Sequence, residues 1–193
     1  DGSFQTQGPW MLSTITVRPE SNSLTIPHDI EINGFEIRGG TGNSMNRTVS
    51  TQYGSTVVTE RLGGGIMAFN TSPKINNNKI KGNGSPQTAN GGGIIAVDSA
   101  EDWSFNDRDY IINPELPPVT EDLDLSANIF ENNQAIEGSS VFVKGFEQYT
   151  TYLSSSTLDY FSSDLQEVSE YWITGESGEF NCEGCQGAEP TYG

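Results

Sequence analysis

Apolar and polar positions alternate in short runs along the chain, three to five residues each, broken by glycine and asparagine. Such runs are too short for amphipathic helices and predict short β-strands. Two seven-residue stretches are nearly the same: GGGIMAF at 63–69 and GGGIIAV at 91–97, 28 residues apart. A second pattern recurs around them. It places an aliphatic residue first, an apolar one five later, and Gly or Asn eight later: Ile32, Ile37 and Gly40; Ile75, Ile80 and Asn83; Leu125, Phe130 and Asn133. Leu153, Leu158 and Phe161 form a weaker fourth copy.

The first positions are spaced by 43, 50 and 28 residues, so the spacing of the glycine runs recurs. The simplest reading is a coil of about 28 residues, lengthened by about 15 in one copy and 22 in another. The extra residues are expected in two long loop insertions. One is the polar, turn-rich segment near 41–60, and the other is the acidic segment near 100–123, which carries three prolines. A repeat of this kind predicts an all-β solenoid whose coils stack at the interstrand spacing of about 4.8 Å. Ile32 is then expected on Ile75 on Leu125, and Ile37 on Ile80 on Phe130. The asparagines at 76–78 and 132–133 are expected at corners, with side chains hydrogen-bonded in ladders along the stack; the competing reading is a ligand site built from them. Thr14–Val17 and Leu24–Ile26 suit strands of an earlier coil. Residues 162–172 suit strand and loop rather than one helix. No amphipathic helix is expected to cap the first coil, which leaves an open edge. Residues 174–193 form a tail. The whole, 1–193, is read as a single domain, or as a segment of a longer chain.

The stretch SPKINNNKIKGNGSPQTANGGGI (72–94) resembles the repeats of right-handed parallel β-helix proteins, the pectate-lyase-like superfold. Phe130-Glu131-Asn132-Asn133, followed by Gly138-Ser139-Ser140-Val141, resembles the FxxN and GGA(I/L/V) pair of bacterial polymorphic outer-membrane and related surface proteins. Serines stand here where that second motif has Gly and Ala. The resemblance covers about 30–160 and implies a right-handed parallel β-helix. It leaves the activity open, because the superfold hosts lyases, hydrolases, adhesins and stalks.

Charge changes the picture along the chain. The net charge is −17, and the two halves differ. Residues 1–96 carry 6 acids and 7 bases, whereas 97–193 carry 20 acids and two bases, Arg108 and Lys144. So acidic a surface repels phosphate backbones and anionic headgroups, which argues against nucleic acid and the membrane surface as partners. No run of 18 apolar residues predicts a membrane-spanning helix. The chain opens on Asp1 rather than Met, which reads as a processed form or a piece of something longer.

The acidic insertion supplies hard oxygens that suit Ca²⁺, with Asp102, Asp107 and Asp109 as the expected ligands and Asp98, Glu101, Glu121, Asp122 and Asp124 nearby. A solvated acidic loop is the alternative. Trp103, Phe105 and Tyr110 in the same insertion suit a flat platform for sugar rings, or else a small core that folds the insertion back onto the solenoid. Cys182 and Cys185 form a C-x-x-C pair. Zinc would need two more ligands, and His28 is the one histidine. A local disulfide in an oxidising compartment is the expectation. Catalytic residues are not assigned. Arg38, Lys79 and Lys81 fall at repeat positions near Asp29, Glu31 and Glu36, but no hydrolase-like carboxylate pair stands out.

The expectation is a non-catalytic structural or adhesive module of an extracellular or cell-surface bacterial protein. Its expected partners are polysaccharide or other surface proteins. Two alternatives accompany it. One is a polysaccharide lyase or glycoside hydrolase of the same superfold. The other is a subunit of an extracellular filament or larger assembly joined through an uncapped solenoid end.

Overall fold

The computed structural model describes residues 13–27, 29–98, 103–106 and 110–144 in full, and the backbone of five later strands. In chain order the strands are β1 (Ile15–Val17), β2 (Glu31–Asn33), β3 (Glu36–Ile37), β4 (Asn43–Thr51), β5 (Gly54–Leu62), β6 (Ile66–Phe69), β7 (Lys74–Asn76), β8 (Lys79–Lys81), β9 (Thr88–Asn90) and β10 (Ile94–Val97). Then follow β11 (Trp103–Phe105), β12 (Leu123–Asp124), β13 (Ile129–Glu131), β14 (Val141–Lys144), β15 (Thr151–Leu158), β16 (Tyr160–Ser163), β17 (Val168–Ile173), β18 (Glu179–Cys182) and β19 (Thr191–Tyr192). The chain is all-β, with no helix among the described residues.

Most pairing is parallel and runs between distant copies of the repeat. One sheet runs β1-β6-β10-β14-β16-β18, another β19-β17-β15-β13-β8-β3, and β2 pairs β7. The two glycine-run strands lie side by side, Ile66 opposite Ile94 and Phe69 opposite Val97. Ile32 faces Ile75, and Ile37 faces Ile80, which faces Phe130. The expected column Ile37–Ile80–Phe130 is formed, as is the Ile32–Ile75 step; Leu125 shares their core cluster but is in no strand pair with Ile75. The 28-residue offset also recurs between β12 and β15, Leu123 to Thr151. It is not a constant period. Ile94 pairs with Val141, 47 residues on, and Val141 pairs with Phe161, only 20 on. Pairing requires matched strands and says nothing of how much chain lies between them, so connections lengthen or shrink freely.

The corners explain the repeat motif. Gly34, Asn77 and Ala127 occupy equivalent positions with φ of 80°, 55° and 57°. Gly39, Gly82 and Asn132 do the same one corner later, with φ of 82°, 59° and 54°. Glycine and asparagine enter this left-handed region at least cost. In the second and third copies the next residue is an asparagine whose side chain turns inward, whereas in the first copy Phe35 is exposed and Gly40 has no side chain. Asn78 Oδ1 accepts from Phe35 N–H at 3.0 Å, while Asn78 Nδ2 donates to Ile32 O at 2.8 Å and Asn128 Oδ1 at 3.2 Å. Asn83 repeats this with Gly40 N–H, Ile37 O and Asn133 Oδ1. Of the asparagines expected in ladders, 76–78 and 132–133, Asn78 and Asn133 take part, joined by Asn128 and Asn83, and all four are buried. Asn77 and Asn132 take the left-handed corners instead, and Asn76 bonds Asp124. The ladders satisfy backbone groups that the turns leave without strand partners.

Within the six-stranded sheet, β6, β10 and β14 are buried on both faces. Ile66, Ala68, Ile94, Ala96, Val141 and Val143 point to one side and meet Ile32, Ile37, Ile75, Ile80, Leu123, Leu125 and Phe130. Met67, Phe69, Ile95, Val97 and Phe142 point the other way and meet Met45, Leu62 and Trp103. This is why GGGIMAF and GGGIIAV show unbroken apolar runs: strands covered on both sides lose their alternation.

The second layer comes from the two segments expected as loops, and the first of them requires correction. Residues 43–62 form an antiparallel hairpin, β4 on β5, with Thr51 opposite Gly54 across a two-residue turn. Its Thr, Ser and Val content suits strands, and its polarity hid them because the outer part of the hairpin is solvated on both faces. The second segment supplies β11, which adds antiparallel to β4.

Candidate functional site

The layer β11-β4-β5-β9 is the most elaborated surface of the described residues. Register places Phe105 opposite Met45 and Trp103 opposite Arg47. Side chains at odd positions of β4 therefore share a face with Trp103 and Phe105. That face is laid on the outside of the six-stranded sheet.

Trp103 is 4 % exposed. Its Nε1–H donates to Glu60 Oε2 at 3.2 Å, and Glu60 Oε1 accepts from Arg47 Nη2 at 2.7 Å. Lys144 Nζ lies 4.9 Å and the Arg47 guanidinium 6.0 Å from the centre of the indole. A negative carboxylate between a guanidinium and an indole N–H has its oxygens occupied by charge-assisted and neutral donors. Phe105 packs edge-on against Phe69 at 5.1 Å and against Tyr110 at 4.9 Å. The Arg18 guanidinium stands over both rings, 4.3 Å from Phe105 and 3.9 Å from Tyr110. Tyr110 Oη donates to Pro19 O at 3.0 Å. Burial pushes the Tyr110 phenol up, against an opposing pull from Arg18. The three aromatics thus fold the insertion back onto the body, the second of the two readings given above. Hydrogen bonds from Asn22 N–H to Ile111 O and from Ile111 N–H to the Ser21 hydroxyl Oγ fasten the same segment.

Arg18, Arg47 and Glu60 escaped the sequence reading. The available signal for the last two was the β-branched content on either side of Gln52-Tyr53-Gly54, which suits two strands and a turn but lacks hydrophobic alternation. Nothing local in the sequence places Arg18 near residue 105.

The expected Ca²⁺ ligands Asp102, Asp107 and Asp109 lie outside the described residues, as do His28 and Cys185; for Cys182 only the backbone in β18 is described. Among the described residues no group of three His, Cys, Asp or Glu is placed to hold a metal ion. Two acids of the same region are engaged elsewhere. Asp124 accepts from Asn76 Nδ2 at 2.9 Å and Ser126 N–H at 3.1 Å. Burial alone would raise this carboxyl, but Ser126, Asn76 and the charge of Lys74 outweigh it and hold it below its ordinary value.

Asp98 follows β10 and accepts from Val119 N–H at 3.1 Å, tying the end of the acidic insertion to the sheet. Burial raises its pKa, with Val119 opposing. A carboxyl raised on folding stabilises the fold most below its unfolded pKa of 3.8 and loses that contribution as pH rises through the folded value. Asp98→Asn keeps an oxygen for Val119 and removes the buried charge. It is expected to melt higher than the parent at neutral pH, with the difference vanishing toward pH 3; thermal melts across that range check it.

The charged residues at the repeat positions, for which no carboxylate pair stands out in the sequence, also have partners. Lys79 pairs with Glu131 at 2.9 Å, Lys81 with Glu36 at 3.2 Å and Arg38 with Glu36 at 3.5 Å, all on the outward face of β3-β8-β13.

The chain matches no family model, no curated protein and no solved structure.

Proposed function

We propose that the chain is a right-handed parallel β-helix solenoid that serves as a non-catalytic structural or adhesive module of an extracellular or cell-surface bacterial protein. The observation that carries the functional reading is the mutual pairing of Lys79 with Glu131 and of Lys81 and Arg38 with Glu36. A lyase or hydrolase needs its carboxylates and bases directed at a substrate; here Lys79–Glu131 and Lys81–Glu36 link neighbouring strands, and Arg38 joins Glu36 two residues back at the end of β3. Support for the solenoid comes from the parallel columns Ile32–Ile75 and Ile37–Ile80–Phe130 and from the asparagine ladders beside them. Polysaccharide or another surface protein is the partner class, and the acidic segment is where Ca²⁺ would bridge an anionic glycan.

The test incubates the full chain with a polysaccharide panel, with and without Ca²⁺, and reads both retention and new reducing or unsaturated ends. Retention without new ends is the expected result. Release of product from any member of the panel overturns the non-catalytic reading.

A further inference from the structure

The outer half of the β4–β5 hairpin has an open edge. β5 pairs with β9 only at Arg61 and Leu62, so among the described residues no strand lies beside Gly54–Glu60 on the side away from β4. Residues 51–59 are exposed throughout, with Tyr53 at 91 %, Val57 at 64 % and Val58 at 37 %. A two-stranded ribbon bare on both faces is marginal in water, and a long flat edge invites another strand.

We infer that this edge pairs antiparallel with the same edge of a second copy of the chain. Three observations select that occupant. Residues 48–59, TVSTQYGSTVVT, contain no charge and no proline, in a chain of net charge −17. Two such chains repel each other, and a neutral segment is where their approach is least opposed. The sheet already grows this way within the molecule, since β11 adds antiparallel to the opposite edge of the hairpin. Finally, the hydrogen-bonding phase fits a two-fold axis. Thr51 and Gly54 flank the two-residue turn, so alternate residues of each strand turn their backbone groups outward. On β4 these are the even positions, as the bond from Asn106 N–H to Ser44 O shows. On β5 they are therefore Ser55, Val57 and Thr59. Centring the axis on Val57 sets Val57 opposite its own copy and Ser55 opposite Thr59, with every outward N–H and C=O of the three residues used. The result is a continuous sheet β4-β5-β5-β4 with its faces in phase. This inference stands on the hairpin alone and does not depend on the function proposed above.

Sedimentation equilibrium on the full chain tests it. The expected result is a weak, reversible monomer–dimer equilibrium, as befits a small interface, that tightens as added salt screens the net charge. Val57→Lys places two ammonium groups opposite each other and is expected to weaken association at least about tenfold. Val57→Thr keeps the strand and its outward bonds and is expected to dimerise like the parent. Should V57K alter the melting curve, Val57→Pro serves in its place. It removes only an outward N–H, which edge strands tolerate, and is expected to abolish the dimer. A parent that stays monomeric at all concentrations and salt levels overturns the inference. So does association that V57K or V57P leaves unchanged, which would point to another interface such as the end of the stack.

Discussion

Gly64→Ala is expected to destabilise the protein by about 4 kcal/mol, the upper range for single substitutions. The reason is the close passage of three chain segments at one corner. Gly64 N–H donates to Gly91 O at 2.9 Å, and Gly64 O accepts from Thr14 N–H at 3.2 Å. A Cβ added at Gly64 would be driven into Gly92 O and Gly84 N and would lie 2.7 Å from Gly84 Cα. These are backbone atoms on both sides, so no side chain can swing away to make room. Relief would require separating the strands on which the neighbouring columns depend. For a chain of this size a loss of about 4 kcal/mol lowers the melting temperature by roughly 8–16 °C. Gly34→Ala is the matched control. Its φ of 80° disfavours a side chain, but nothing lies within 4 Å of the added carbon. Only the left-handed penalty of about 1–2 kcal/mol should appear. Thermal unfolding of the two variants side by side measures the difference. Equal losses would mean that the corner is not packed as described.

Asn78→Leu should cost about 3 kcal/mol, although leucine is close in size and more apolar. Asn78 is 2 % exposed and its amide joins three segments. Substitution removes the acceptor of Phe35 N–H, the donor to Ile32 O and one donor to Asn128 Oδ1. Phe35 N–H and Ile32 O both lose this partner, the latter in a buried site. Each buried polar group stripped of its partner costs about 1–3 kcal/mol, and the apolar gain of leucine offsets only part of that. Asn128 suffers less, because its Oδ1 still accepts from Asn78 N–H at 3.0 Å. Asn76→Leu, one residue before the left-handed corner and half-buried, should lose far less, chiefly its bond to Asp124. Denaturant melts of the two variants separate the cases. A loss at Asn78 no larger than that at Asn76 would remove the ladder from its structural role.

Much of the parallel framework could be read from the chain itself. The columns Ile32–Ile75 and Ile37–Ile80–Phe130 follow from a motif that repeats aliphatic, polar and left-handed positions in order. Each of its requirements is local: alternation directs a side chain inward, and glycine or asparagine accepts the corner. The hairpin at 43–62 was harder, because hydrophobic alternation is a burial signal and most of this hairpin is not buried. The fourth copy at Leu153–Phe161 shows the motif at its weakest, yet β12 and β15 pair at the offset of 28 that it implied.

The candidate surface was legible only in its parts. Trp103, Phe105 and Tyr110 stood out as aromatics in an acidic insertion, but their roles depend on Arg47, Glu60, Lys144 and Arg18, which come from three other places in the chain. A tryptophan that meets sugar and a tryptophan that seals a layer have the same local sequence. The sequence by itself determined that the chain would form short strands, where it would turn, and which aliphatic residues would stack. Those properties reside in each segment's own backbone preferences and alternation. Only the tertiary structure decided that the two insertions join edge to edge and cover Met67, Phe69, Ile95 and Val97. That choice depends on which unpaired edge and which bare apolar face lie within reach once the coils have stacked, and no single segment carries that information.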